Sequence, residues 1–276
     1  MQVAAFPFFC DVDAGLSLLT NFPCTYILIS HKSNHEKGIS QMKFSWKCEI
    51  GTGADRGLNG WGNNEAQYYR EENVKIDGEK ITITAKREDF GGKNYTSGRI
   101  YTHEYSVKYG RIEAKIKLPA GNGLWPAFWM MPRDNAYGGW AASGEIDIME
   151  NRGRLPSEVS GAIHFGGQHP NNRFISEKYN FPNGFDATDF NMYAVEWDEA
   201  GIRWFVNDTM YFSCVPDQWP TVSKNGTPLE KPAPFDREFY IILNLAVGGH
   251  FDNGIEPPAD ESKWVMEVEY VNVKQS

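Results

Sequence analysis

The sequence predicts an all-β fold, a sandwich of two antiparallel sheets. Three observations carry that expectation. The chain of 276 residues is rich in aromatics, with 9 Trp, 13 Tyr and 17 Phe, and it holds 27 Gly. Ala- and Leu-rich helical runs are scarce. Short runs of β-branched and aromatic residues recur between Gly, Asn, Asp and Pro clusters, the pattern of many strands joined by turns. No internal repeat, linker or low-complexity tract interrupts residues 42–276, so that stretch reads as one domain. Two packed antiparallel sheets are the natural way for so many strands to bury their apolar faces.

Residues 1–41 stand apart. Phe6-Pro7-Phe8-Phe9 and Tyr26-Ile27-Leu28-Ile29 are apolar, while His31 to Lys37 is polar and patternless. The segment is expected to be either a divergent first strand or poorly ordered. It lacks the basic start and clean apolar run of a secretory signal, and no stretch reaches the length of a membrane span. The net charge of −9 argues against nucleic acid or an anionic membrane as partner. Cys10, Cys24, Cys48 and Cys214 show no metal-type pairing, and no disulfide is assigned.

From Met42 the text becomes regular. Phe44-Ser45-Trp46 leads through Glu49-Ile50-Gly51 into the Gly/Asn-rich loop Gly57 to Glu65. Such a loop is either a surface turn or a polar rim suited to a hydroxyl-rich ligand. Val74-Lys75-Ile76 and Lys80 to Ala85 flank Asp77-Gly78, a hairpin signal. Ser97 to Tyr101 and Gly110 to Ile116 read as two more strands. In Leu124 to Met131, Trp125, Ala127 and Trp129 share one face, and Phe128 and Met130 the other. Two Trp on one face are either core or a flat apolar wall on which sugar rings pack.

Ser143 to Glu150 is the most informative stretch. Glu145, Asp147 and Glu150 are interleaved with Ile146, Ile148 and Met149. Strict alternation puts Glu145 and Asp147 on one side and Glu150 on the opposite, apolar side, a poor place for a charge. A β-bulge near Ile148-Met149 would return Glu150 to the acidic wall. Three crowded carboxylates cannot all ionise freely at neutral pH. A protonated acid beside an ionised one is what glycoside hydrolysis uses. The alternatives at this stage are a solvated acidic face or a divalent-cation site. Beyond it, Gly161 to Gly167 reads as a strand whose His164 either orients a carboxylate or fills a structural place. Gln168 to Asp189 reads as a polar loop. Phe190 to Trp197 and Ile202 to Val206 form an antiparallel pair. Phe239 to Val247 is a fully buried strand, and Trp264 to Val273 closes the sheet.

Glu145-Ile146-Asp147-Ile148-Met149-Glu150 resembles the bulged catalytic signature of glycoside hydrolase family 16. Gly60-Trp61-Gly62-Asn63-Asn64-Glu65, Ser97-Gly98-Arg99-Ile100, Gly123 to Met130, His164-Phe165-Gly166-Gly167 and Asn244 to Gly249 follow in the family's order, and they resemble its laminarinase branch. The resemblance covers about residues 42–276. It implies a concanavalin-like β-jelly roll and retaining endo-hydrolysis of β-1,3-glucan, with mixed β-1,3/1,4-glucan a further substrate. It implies Glu145 as nucleophile, Glu150 as general acid and base, and Asp147 as helper. It implies sugar contacts from Asn64, Arg99, Trp125, Trp129, His164 and Phe251. Many family members also hold a structural Ca²⁺; the matching positions here are Gly78 and Glu269, with Glu where Asp is commoner. No cofactor is expected for catalysis. A polymeric substrate implies an extracellular enzyme, and a monomer is expected. The competing readings are a same-scaffold hydrolase of agarose, carrageenan or β-galactan, and a noncatalytic β-glucan-binding protein.

Overall fold

The computed structural model describes residues 44–102 and 104–275. The apolar runs of residues 1–41, with Cys10 and Cys24, lie outside the described residues. Within them sixteen strands are formed. In chain order these are β1 (Lys47–Cys48), β2 (Gln67–Tyr69), β3 (Val74–Asp77), β4 (Lys80–Phe90), β5 (Lys93–Ser97), β6 (Arg99–Tyr101), β7 (Gly110–Lys117) and β8 (Leu124–Pro132). There follow β9 (Glu145–Glu150), β10 (Glu158–Gly166), β11 (Asn172–Asn180), β12 (Asn191–Asp198), β13 (Gly201–Val206), β14 (Thr209–Cys214), β15 (Phe239–Val247) and β16 (Lys263–Lys274). Helical structure is confined to short 3₁₀ turns, and no helix among the described residues is long and apolar enough to cross a membrane.

The strands form the two sheets of a jelly roll. One has seven strands in the order β1-β6-β15-β8-β9-β10-β11, all antiparallel to their neighbours. The other has nine, in the order β14-β13-β12-β7-β16-β4-β5-β2, with β3 paired to β4. Its β2–β5 pair is parallel. The core lies between the sheets. Phe128, Met130, Ile146, Met149, Ile163 and Leu243 come from the first sheet; Ile112, Tyr193, Val195, Trp197, Trp204 and Met266 come from the second. Each large side chain buried this way contributes about 1.5–3 kcal/mol. Alternation sends the other set of β8 side chains, Trp125, Ala127 and Trp129, to the open face of the seven-stranded sheet, where a cleft lies.

Three expectations are corrected by the sheets. Ser97 to Tyr101 is not one strand. The chain leaves the nine-stranded sheet at Ser97 and joins the seven-stranded sheet at Arg99. Gly98 makes the crossing, and a Cβ there would lie 2.5 Å from Val74 Cγ2. The stretch Gln168 to Asp189 is not a loop throughout, because it contains β11. That strand escaped the sequence because it is the sheet's edge. Ile175 and Tyr179 are only half buried, so no clean apolar period marks it. Finally, β16 does not close an edge; it runs between β7 and β4 in the middle of its sheet. The Asp77-Gly78 hairpin forms as expected, with Asp77 paired to Lys80 and Gly78 at φ 65°. Cys48 and Cys214 are free thiols.

Candidate active site

β9 carries the bulge that the acidic spacing requires. Against β8, Met130 pairs with Ile146 and Trp129 with Asp147, but the next pairs are Phe128 with Met149 and Ala127 with Glu150. Ile148 is the residue left over. Against β10 the register slips at the same place, between Ala162↔Asp147 and Ser160↔Glu150. Ile146, Ile148 and Met149 are therefore buried, while Glu145, Asp147 and Glu150 all line the cleft.

Each glutamate receives an indole N–H. Trp140 Nε1 donates to Glu145 Oε2 at 2.8 Å, and Trp125 Nε1 donates to Glu150 Oε1 at 3.0 Å. His164 Nε2 lies 3.2 Å from Asp147 Oδ2 and 3.7 Å from Glu145 Oε1. Burial is the largest influence on all three acids, pushing each up to about 8. The neighbouring Asp147 charge pushes Glu145 and Glu150 the same way, while the indole donors and His164 oppose it. A side-chain hydrogen bond with Glu145 holds Asp147 back. Two buried carboxyls this close resist ionising together.

Around the acids the expected sugar-binding residues divide. Trp129 is half buried and faces the cleft, its N–H given to Asn244 Oδ1 at 2.7 Å. Asn244 Nδ2 donates to the Tyr69 hydroxyl (3.2 Å), which donates to Glu65 (2.9 Å), so a buried polar chain sets the indole's orientation. Arg99 lines the cleft too. Its guanidinium lies 4.9 Å from the Trp129 ring and 4.6 Å from Trp61, and its Nε is paired with buried Glu49. Trp125 lines the cleft but is 7% exposed. Phe251 stacks on it at 4.9 Å and 19°, and Arg152 stands 4.1 Å from the Phe251 ring. Trp125 is therefore not the open platform expected of it; its polar tip serves Glu150. His164 lies in the cleft, stacked on the exposed Phe174 at 5.7 Å. Asn64 does not join them. It sits exposed with φ 56°, and its neighbour Asn63 lines the cleft instead. In so tight a turn, consecutive side chains point apart.

Several residues of the site gave no sequence signal. Trp140 sits among Gly and Ala with no period to mark it. Phe174 lay in the supposed loop. Glu65 and Asn63 were visible only as parts of the WGNNE loop. The Gly78 and Glu269 positions do not fit a calcium ion. Calcium takes six to eight oxygens, whereas the Glu269 carboxylate is half exposed and paired with Lys115 Nζ at 2.7 Å. Among the described residues, the acids and histidine at ligand spacing are Glu145, Asp147 and His164, within 4.8 Å of one another. The indole donor on Glu145 and the closely placed Asp147 and His164 suit that trio to proton transfer.

The chain is similar to known proteins over most of its length. Residues 61–228 match the model of glycosyl hydrolases family 16. The glucan endo-1,3-beta-glucosidase A1 of Niallia circulans is 44% identical over 241 residues, covering 83% of this chain and 35% of that protein. The chain thus spans about a third of that relative's length. The glucan endo-1,3-beta-glucosidase of Cryptopygus antarcticus is 40% identical over 250 residues, 82% of this chain and 89% of that one. Among solved structures, the laminarinase catalytic domain of Thermotoga maritima superposes with a TM-score of 0.74 at 32% identity, covering 91% of this chain and 98% of that one.

The raised carboxyls have a cost in stability with a definite sign. Between the ordinary carboxylate range and about pH 8, the folded chain holds protons that the unfolded chain has released. Stability therefore falls as pH rises through that window. Glu145→Gln removes one such group. It is expected to raise stability by about 2 kcal/mol at pH 8 and by much less at pH 5, measured by thermal melts at both values.

Proposed function

The chain belongs to glycosyl hydrolase family 16, and from that premise we propose that it hydrolyses internal β-1,3-glucosidic bonds of laminarin-type glucans with retention of configuration. One observation carries the reading: the bulge at Ile148 brings Glu145 and Glu150 into the same cleft with Asp147 between them. Retention needs two carboxyls on opposite sides of the scissile bond, one to attack and one to protonate. A glucan laid across the strands would meet Trp129 and Arg99 on one side of β9 and His164 and Phe174 on the other.

In the first step Glu145 attacks the anomeric carbon and forms a glycosyl ester. The glycosidic bond breaks, and Glu150 gives its proton to the departing oxygen. In the second step ionised Glu150 takes a proton from water. The water oxygen attacks the same carbon and releases Glu145. Asp147 takes up a proton as Glu145 becomes the attacking anion, so charge does not accumulate in a buried site. The protein's contribution is to hold Glu150 protonated by burial and to stabilise the Glu145 anion with the Trp140 N–H. Such polymers are met outside the cell, so the same reading has the chain acting there.

Purified protein is expected to release reducing ends from laminarin, with β-anomers formed first in NMR time courses. Glu145→Ala and Glu150→Ala should each lose this hydrolysis while keeping oligosaccharide binding by calorimetry. Binding without any hydrolysis by the wild type would replace the enzyme with a glucan-binding protein. Release from agarose or carrageenan but not laminarin would change the substrate.

The indole donors give a signed pH test. Each N–H favours the ionised carboxylate, so its loss raises that group's pKa. Trp140→Phe is expected to move the acidic limb of the kcat/KM profile upward, because Glu145 must be ionised. Trp125→Phe should move the alkaline limb upward, because Glu150 must be protonated. Each shift should be roughly half a unit to one unit, the worth of one hydrogen bond.

A further inference from the structure

The bulge in β9 is held from the far side of the core. In a regular ladder a carbonyl points along the sheet toward a neighbouring strand. The Asp147 carbonyl oxygen, at the residue where pairing breaks, accepts a hydrogen bond from Trp204 Nε1 at 2.8 Å. Trp204 is on β13, in the opposite sheet, and is fully buried. Its ring stacks on Phe212 at 4.4 Å and 30°. β14 slips register beside it: Trp204 pairs with Phe212 and Phe205 with Met210, so Tyr211 is left out of step. The two sheets therefore carry facing irregularities, Ile148 in one and Tyr211 in the other.

Room for this contact is made by a missing side chain. Gly161 falls in the gap of the β10 register, opposite Ile148 and Met149. A Cβ there would lie 2.4 Å from Trp204 Cδ1, 2.7 Å from Trp204 Nε1 and 2.7 Å from the Tyr211 hydroxyl. Its backbone does not need a left-handed conformation, so the demand for glycine at this position is one of space. The indole tip passes through that space to reach the Asp147 carbonyl.

We propose that Trp204 is a positioning residue: by bonding the Asp147 carbonyl it fixes the bulge that turns Glu150 into the cleft. This rests on the hydrolase reading above, since it assigns Trp204 a part in aiming the general acid. It touches neither substrate nor reacting atoms. A tryptophan that only fills the core would stabilise the fold without favouring any one orientation of Glu150.

A matched control is at hand in Trp197. It is also buried in the second sheet, and its Nε1 also bonds a backbone carbonyl, that of Phe235, at 3.0 Å. Trp204→Phe and Trp197→Phe each delete one buried N–H and keep an aromatic ring, so both should melt earlier. At a temperature well below both transitions, Trp204→Phe is expected to lose about 10- to 100-fold in kcat. Its KM for laminarin should stay within about twofold, as for loss of transition-state interactions alone. Trp197→Phe should keep wild-type kcat. Equal kcat in the two variants overturns the proposal. Should Trp204→Phe not fold, indole ¹⁵N spectra of the wild type and Glu150→Gln decide the matter. The Trp204 resonance should move and the Trp197 resonance should stay; an unmoved Trp204 overturns the proposal. A wild type inactive on laminarin, with the Trp204 resonance still responding to Glu150→Gln, would sink the hydrolase reading and leave the coupling intact.

Discussion

A β-strand turns its side chains to alternate faces, and Glu145 and Glu150 are five residues apart. They can share a wall only if one residue between them is skipped. Ile148 is that residue, and much of the site follows from the skip. Before it, Ile146 packs into the core and Asp147 faces the cleft. After it, Met149 packs into the core and Glu150 faces the cleft. The core gains its apolar side chains on both sides of the irregularity, which is what makes the irregular register the stable one. A regular register would put the Glu150 carboxyl among the apolar side chains of the core, and burying an unpaired charge there would cost several kcal/mol.

Three tryptophans from three parts of the chain then act on this one strand. Trp140 gives its N–H to Glu145, Trp125 to Glu150 and Trp204 to the Asp147 backbone. An indole suits the task because it donates a hydrogen bond without bringing a charge and without accepting one. A lysine or arginine in the same places would hold the carboxyls well below neutrality and leave no acid to protonate a leaving group. Here burial raises the carboxyls and single neutral donors partly offset it. The same arrangement explains why Trp125 is boxed in by Phe251 and nearly closed to solvent. A fixed ring aims its N–H better than an open one.

The acids were legible because charge alternating with Ile and Met is unusual, and because the mismatch at Glu150 by itself demands a bulge. The two-sheet fold was legible from strand and turn patterns, and the buried β15 from its unbroken apolar run. What escaped has physical causes. The edge strand β11 has little to bury, so hydrophobic period could not reveal it. The Gly98 crossing depends on space beside Val74, which spacing along the chain does not record. Asn63 and Asn64 are chemically alike, and only the turn's backbone angles decide which faces the cleft. Trp204 reaches the Asp147 backbone from 57 residues away, which no local pattern encodes, and Trp140, only five residues before Glu145, lies in a Gly/Ala-rich turn with no period to point it there. Trp125 looked like a sugar platform because sequence shows the face it occupies but not what lies against it.

The central claim is that one skipped residue sets both glutamates against a single glycosidic bond. A crystal structure of the Glu145→Gln protein with a β-1,3-glucan oligosaccharide spanning the cleft measures it directly. The account predicts that the side-chain termini of residues 145 and 150 flank the same linkage about 5–5.5 Å apart, with Ile148 out of register. A Glu150 turned into the core, or two termini too far apart to meet one sugar, would contradict it.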